Sequence, residues 1–412
     1  MHLPASVIAR SALTCLLSLA GWSLASAQAV TTVATVEQLR AAVDAANSGG
    51  GNRIIEIADG TYTLNDTLQI KAPGITLIGA SRDRSKVTIR GDAMSPTAQV
   101  GNVIRVAGKN FTLQHLTIAR SRWHLIQIVG EEDADNAVIR DCVLRDAYEQ
   151  MVKITLDIND RRVSADNGLI ENCLFEYTAG IGPQYYIGGV DGHGAKNWVI
   201  RGNTFRDIKS PTSTAAEHAV HFWTDSADII VEDNLIIDCD RGIGFGLLDP
   251  ASNRGALRGI IRNNMIYSSA ARKGPAADAG IILESTPGTE VYNNTVMLEN
   301  GYPNAIEYRW STTTGVKIYN NLTNAQIRQR DGASAQLASN ITNATAASFV
   351  NLAAGDLHLA SGSPAIDAGT NIPSVARDFD GQPRPQGGAY DVGADEYTVV
   401  VRPRPPTNLS VN

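Results

Sequence analysis

Cysteine, charge and long apolar runs are all in short supply in this sequence, and each shortage removes a class of protein. Four cysteines in 412 residues are too few for a disulfide framework. Beyond residue 27 no apolar run is long enough to cross a bilayer, so no membrane span is expected. Only 19% of residues are charged and the formal net charge is −7, which argues against nucleic acid as a partner. An acidic polysaccharide would need a local basic patch or a bridging cation to overcome that repulsion.

What is present begins with a processing signal. Arg10 precedes an apolar segment from Ala12 to Leu24, and Ala25-Ser26-Ala27 supplies an A-x-A cleavage site. Residues 1–27 are therefore expected to be a cleaved signal peptide, and the mature chain to be secreted or periplasmic. Cleavage would leave Cys142, Cys173 and Cys239, an odd number that requires a buried thiol or an intermolecular bond. From Val36 to Ala46 apolar residues recur at helical spacing, with Thr35 as N-cap and Ser48-Gly49-Gly50-Gly51 as the stop. Arg53 to Tyr62 then alternates like a strand and turns at Asp59-Gly60. A short helix feeding such a strand would close the open end of a β-solenoid, which otherwise exposes apolar core and unpaired backbone.

A repeat follows. Val138-Ile139-Arg140-Asp141-Cys142 is echoed by segments ending at Cys173, Asn203, Asn234, Asn264, Asn294 and Asn321, at intervals of 31, 30, 31, 30, 30 and 27 residues. His115, 27 residues before Cys142, is assigned to the same column. Such a period means one coil per repeat, each with three short strands. Asparagine suits the turns because it tolerates left-handed backbone angles. Stacked in successive coils, Asn203, Asn234, Asn264 and Asn294 would form an internal ladder. Cys142 and Cys173 share that column, as small buried thiols or as a strained disulfide.

The pattern resembles the right-handed parallel β-helix proteins of the pectate-lyase-like superfamily, over about residues 30–350. The resemblance implies an all-β solenoid over 28–350 with an N-terminal helical cap. Ser363-Pro364-Ala365-Ile366-Asp367, Asp378-Phe379-Asp380-Gly381 and Tyr390-Asp391-Val392-Gly393 resemble a C-terminal segment common to exported bacterial β-helix proteins. Residues 351–400 are accordingly read as a lower cap, and 401–412 as a linker or tail. The aspartates of this segment are expected to be solvated turn carboxylates. Ca²⁺ is the one cofactor left open, here or in the loop carrying Asp157, Asp160 and Asp166.

The middle strand of each coil can be aligned through the same repeat. Ile126, Val152, Ile187, Val220, Ile243, Ile281 and Ile306 form one inward column. Because strands alternate faces, the next residues point out: Gln127, Lys153, Gly188, His221, Gly244, Ile282 and Glu307. The following outward column includes Val190, Trp223, Glu284 and Arg309, and His218 is expected to point inward. Lys153 and His221 would then stand two coils apart, on the order of 10 Å, over a floor made by Gly188 on which a sugar could lie. Tyr185 and Tyr186, Asp191, His193 and Arg241 border the same groove.

This set of groups suits proton abstraction beside a carboxylate. The C5 proton of a uronic acid becomes removable once the neighbouring carboxylate is neutralised, by Lys153 or Arg241. Tyr186 or His193 would serve as base and acid. Mannuronan C5-epimerases and related lyases carry a Lys on one coil and a Tyr followed by Asp-Pro-His on the next. Lys153, Tyr186 and Asp191-Gly192-His193 resemble that arrangement, which implies catalytic roles for Lys153, Tyr186, Asp191 and His193. Two features depart from it: Gly192 replaces proline, and Tyr186 stands five residues before Asp191 instead of three. The paired carboxylates of a glycoside hydrolase are not identifiable. The expected function is β-elimination on a uronate-containing polysaccharide by a monomeric enzyme. C5 epimerisation and a non-catalytic carbohydrate-binding or cell-surface role are the alternatives.

Overall fold

A computed structural model describes residues 28–247 and 255–398. The expected signal peptide and the 401–412 tail lie outside the described residues. Among the described residues, strands assemble into three long parallel sheets of twelve, ten and ten strands. Successive repeats add one strand to each sheet, and the chain winds as a right-handed parallel β-helix. The helix at Val36–Ser48 has Thr35 as its N-cap, whose side chain accepts from the Gln38 amide. Its Leu39, Val43 and Ala46 are buried and join the core of the coils. A strand that sequence patterning did not show, Ala29–Val33, precedes the helix and pairs in parallel with Arg53–Ile57.

The asparagine ladder runs down one corner. The side-chain amide of Asn203 donates to Oδ1 of Asn234 at 3.0 Å, and Asn234 to Asn264 at 2.9 Å. Asn264, Asn294 and Asn321 continue it, and Asn340 adds a rung beyond the point where the sequence period fades. Each amide also donates to a backbone carbonyl of the preceding coil, such as Ile170 or Ile200. Buried polar groups are thereby paired, which is what burial demands of them. Cys173 and Cys142 occupy the start of this column as free, buried thiols, and each directs Sγ to the equivalent carbonyl, Ile139 or Leu113. They substitute for asparagine, and no disulfide joins them.

Just ahead of the ladder lies a second column with positive φ: Asp141, Asn172, Gly202, Asp233, Asn263, Asn293 and Asn320. His115 belongs here, at φ 55°, one residue away from its expected place. The left-handed turn selects Asn, Asp and Gly at this position.

Beyond residue 348 the chain lies along a flank of the coils. Phe349, Leu352, Leu357, Leu359, Val392 and Ala394 pack with Met265, Tyr267, Met297 and Leu322. Asn293 and Asn263 donate to carbonyls of the segment, and Ala394 donates to Thr295. The expectation of solvated carboxylates holds for Asp367 and Asp380, which are exposed, and fails for three others. Asp378, Asp391 and Asp395 are buried, and each accepts backbone N–H groups that the irregular chain cannot pair otherwise. Arg384 and Glu396 form a fully buried ion pair at 2.6 Å.

Candidate functional site

The site lies on the outer face of one ten-stranded sheet, on strands Gln150–Ile154, Gly188–His193, His218–Trp223 and Arg241–Phe245. Their register differs from the sequence alignment in one coil. Lys153 pairs with Asp191, and Asp191 with His221, so Asp191 and not Gly188 stands between Lys153 and His221. Val190 takes the inward place assigned to Ile187, and His193 lies beside Trp223. The register sits three residues later than expected, and Gly189 lies in close approach to the next strand. A Cβ on Gly189 would lie 2.2 Å from the carbonyl oxygen of Ala219. The expected glycine floor is therefore a carboxylate floor.

Alternation is interrupted at the start of this strand. Gly189 and Val190 both face the core, since a Cβ on Gly189 would also meet the Phe205 ring and Val190 is fully buried. Ala219 and Val220, consecutive and both fully buried, repeat this in the next strand. Two consecutive inward residues put His218 on the outer face with His221, correcting its inward assignment. There its imidazole lies over Gly244, where a Cβ would come within 2.5 Å of Nε2.

Asp191 gathers the groups around it. Its Oδ2 accepts from the Lys153 ammonium, and its Oδ1 accepts from Trp223 Nε1 at 2.7 Å. His193 Nε2 lies 2.8 Å from Lys153 Nζ and 3.6 Å from Asp191 Oδ2. His221 Nδ1 lies 3.8 Å from Asp191 Oδ1. The Trp223 indole is edge-on to His193 at 4.2 Å and parallel to His221 at 5.6 Å. Lys153 and Asp191 are nearly buried, with side chains 10% and 7% exposed, whereas His193 reaches the surface at 23%.

These contacts set protonation. Burial alone would raise the Asp191 carboxyl, but the Lys153 charge and the His193 contact outweigh it and hold it well below the usual carboxylate range. Burial also lowers His193, against the pull of Asp191, so its imidazole is neutral near pH 7. With an ammonium donating to Nε2, that nitrogen carries the lone pair. His124, which the sequence reading did not single out, backs the cluster. Its Nδ1 lies 3.0 Å from the Gln150 carbonyl, and burial with the nearby Lys153 charge lowers it to about 4.

The remaining sequence candidates fall in two other places. Arg241 lies beside a cleft of about 270 Å³ lined with His218, Asp278, Glu284, Glu307 and Arg309. It pairs with Asp278 at 2.7 Å, and Arg309 with Asp331 at 2.8 Å and Glu284 at 3.4 Å. Asp278 carried no signal in the sequence because it lies in a loop outside the repeat columns. Tyr185 and Tyr186 are exposed in the segment before Gly188. His193 is at the far end of that six-residue strand, roughly 17 Å away along it. Gly188 shares a column with Gln150, and a Cβ there would touch Gln150 and Glu217.

The sequence matches no family model and no curated protein. Among solved structures it is similar to pectate lyase Pel9A, at 14% identity over 86% of this chain and 90% of that one, with a TM-score of 0.50. A mannuronic acid specific polysaccharide family 6 lyase from human gut microbiota is 14% identical over 79% and 90%, with a TM-score of 0.49. PfbA, a surface adhesin of Streptococcus pneumoniae, is 14% identical over 74% and 88%, with a TM-score of 0.46. At this identity the likeness to the pectate lyase is one of fold.

Proposed function

We propose that the protein abstracts the C5 proton of a uronate residue in an acidic polysaccharide and completes the reaction by β-elimination. The observation that carries this reading is His193 Nε2 held 2.8 Å from the ammonium of Lys153, with Asp191 beneath both. An incoming uronate carboxylate would take the Lys153 hydrogen bond from His193, which frees the Nε2 lone pair for the C5 proton. The C5–H electron pair then forms the C4=C5 double bond as the C4–O bond breaks, and the departing oxygen takes a proton from the imidazolium. Lys153 would stabilise the developing enolate, a contribution worth about 3–4 kcal/mol. Asp191 holds Lys153 in place, and Trp223 keeps Asp191 oriented. Arg241 and Arg309 border the cleft beyond His218, where a neighbouring sugar could lie.

The shared fold of the pectate lyase agrees with this reading but does not carry it; the site does. Export by the segment at 1–27 and monomeric action belong to the same proposal. Epimerisation at C5 is the second reading, favoured by the likeness of Lys153, Asp191 and His193 to the mannuronan C5-epimerase arrangement. The test is ultraviolet absorbance of the protein mixed with alginate, pectate, glucuronan and glycosaminoglycans. A rise from unsaturated uronate, lost in Lys153→Ala and reduced about 10²–10⁴-fold in His193→Ala, is the expected result. Silence on every substrate would remove elimination on this panel.

A further inference from the structure

Beside the proton-transfer cluster lies a second group that the proposed reaction does not use. Glu217, His218 and His221 each offer one ligand atom, and these atoms all lie within 4.8 Å of one another. His218 is only 5% exposed, yet both of its ring nitrogens are buried with no hydrogen-bond partner among the described residues. Leaving buried polar atoms unpaired costs about 1–3 kcal/mol each, so a ligand for them is the economical explanation. The ring has room because position 244 is glycine, and it lines the adjacent cleft.

His221 is prepared in the same way. Its Nε2–H donates to the Gly246 carbonyl at 2.9 Å, which leaves Nδ1 with the lone pair, 4.0 Å from Glu217 Oε2. An imidazole fixed by a backbone carbonyl through its other nitrogen is the arrangement of metal-bound histidines. Glu217 is 28% exposed and gives access from solvent. Arg241, which lines the same cleft as His218, is already paired with Asp278. The other His/Asp cluster, around His358, differs: both of its ring nitrogens already face Asp356 and Asp380.

We propose that Glu217, His218 and His221 form a binding site for a single divalent transition-metal ion of the Zn²⁺ class. Two imidazoles and one carboxylate are the borderline donor set that Zn²⁺ and Co²⁺ take, with a fourth position open. Ca²⁺ and Mg²⁺ prefer six or more oxygens, which this site does not supply. The site is independent of the proposed reaction, and its test reads binding, so either can fail without the other.

The experiment is titration of chelator-treated protein with Zn²⁺ and Co²⁺ by calorimetry and visible absorbance, with Ca²⁺ and Mg²⁺ as controls. One equivalent of Zn²⁺ should bind, Co²⁺ should show the intense visible bands of a tetrahedral site, and Ca²⁺ should not compete. His218→Ala and Glu217→Gln should each weaken Zn²⁺ binding at least about tenfold. Gly244→Ala, which drives a Cβ into the His218 ring without replacing a ligand, should also weaken it. Should His218→Ala fail to fold, Glu217→Gln at the surface decides. No stoichiometric binding, binding unchanged in the variants, or equal affinity for Ca²⁺ would overturn the proposal.

Discussion

Asp191 decides the charge balance of the site, because Lys153, Trp223, His193 and His221 all lie against one buried carboxylate. Removing one partner of a buried pair leaves an uncompensated charge and costs about 3–5 kcal/mol. Lys153→Met is therefore expected to lower stability by about that amount, measured by urea unfolding; a loss under 1 kcal/mol would show that Trp223 and the histidines satisfy Asp191 unaided. The depressed His193 makes a second expectation. A base that loses activity on protonation and titrates below its ordinary value should carry the acid limb of kcat/KM to below about pH 6.5. A limb at or above that value would remove His193 as the base. Gly192 is the third residue of interest, since a Cβ there would fall 2.5 Å from the Phe222 ring. Gly192→Ala should destabilise by about 1–3 kcal/mol through overpacking, which thermal unfolding would read.

At the scale of elements, the strands and corners differ in how well sequence discloses them. The asparagine column was legible because a fixed interval and one residue type coincide from Asn203 to Asn321. Its extension to Asn340 was not, because the interval shortens to 19 residues there. The groove was legible in its residues but not in its register. Ile187-Gly188-Gly189-Val190 offers two aliphatic anchors three residues apart, and only the backbone's close approach at Gly189 selects the second. His218 was misassigned because strict alternation fails where two consecutive residues, Ala219 and Val220, are both buried. The ladder yields its own prediction. Asn264 donates to the Val231 and Arg262 carbonyls and to Asn294, and accepts from Asn234. Asn264→Ala should cost at least about 2 kcal/mol by leaving several buried groups unpaired, and Asn340→Ala at the half-exposed end should cost less.

For the whole molecule, the segment beyond residue 348 adds its own dependence of stability on pH. Burial alone would lower His358, but its hydrogen bond with Asp380, the charge of Asp395 and its bond with Asp356 raise it to about 9. A histidine raised in the folded state contributes stability that is fully present below its unfolded value of about 6.5 and is lost as pH rises through about 9. The melting temperature should therefore fall between those pH values, and His358→Gln should flatten that part of the profile. An unchanged profile in the variant would place the loss elsewhere. This contribution was not readable from sequence, where Asp356-Leu357-His358-Leu359 looks like an ordinary polar strand and Asp380 and Asp395 are distant in the chain.

The most direct test of the account is proton magnetic resonance of uronate polysaccharides incubated with the protein in deuterium oxide. The account predicts loss of the C5 proton, as unsaturated product or as deuterium at C5, and no loss with Lys153→Ala. Binding of the polysaccharide with the C5 proton left intact would contradict it, and would assign the groove to recognition alone.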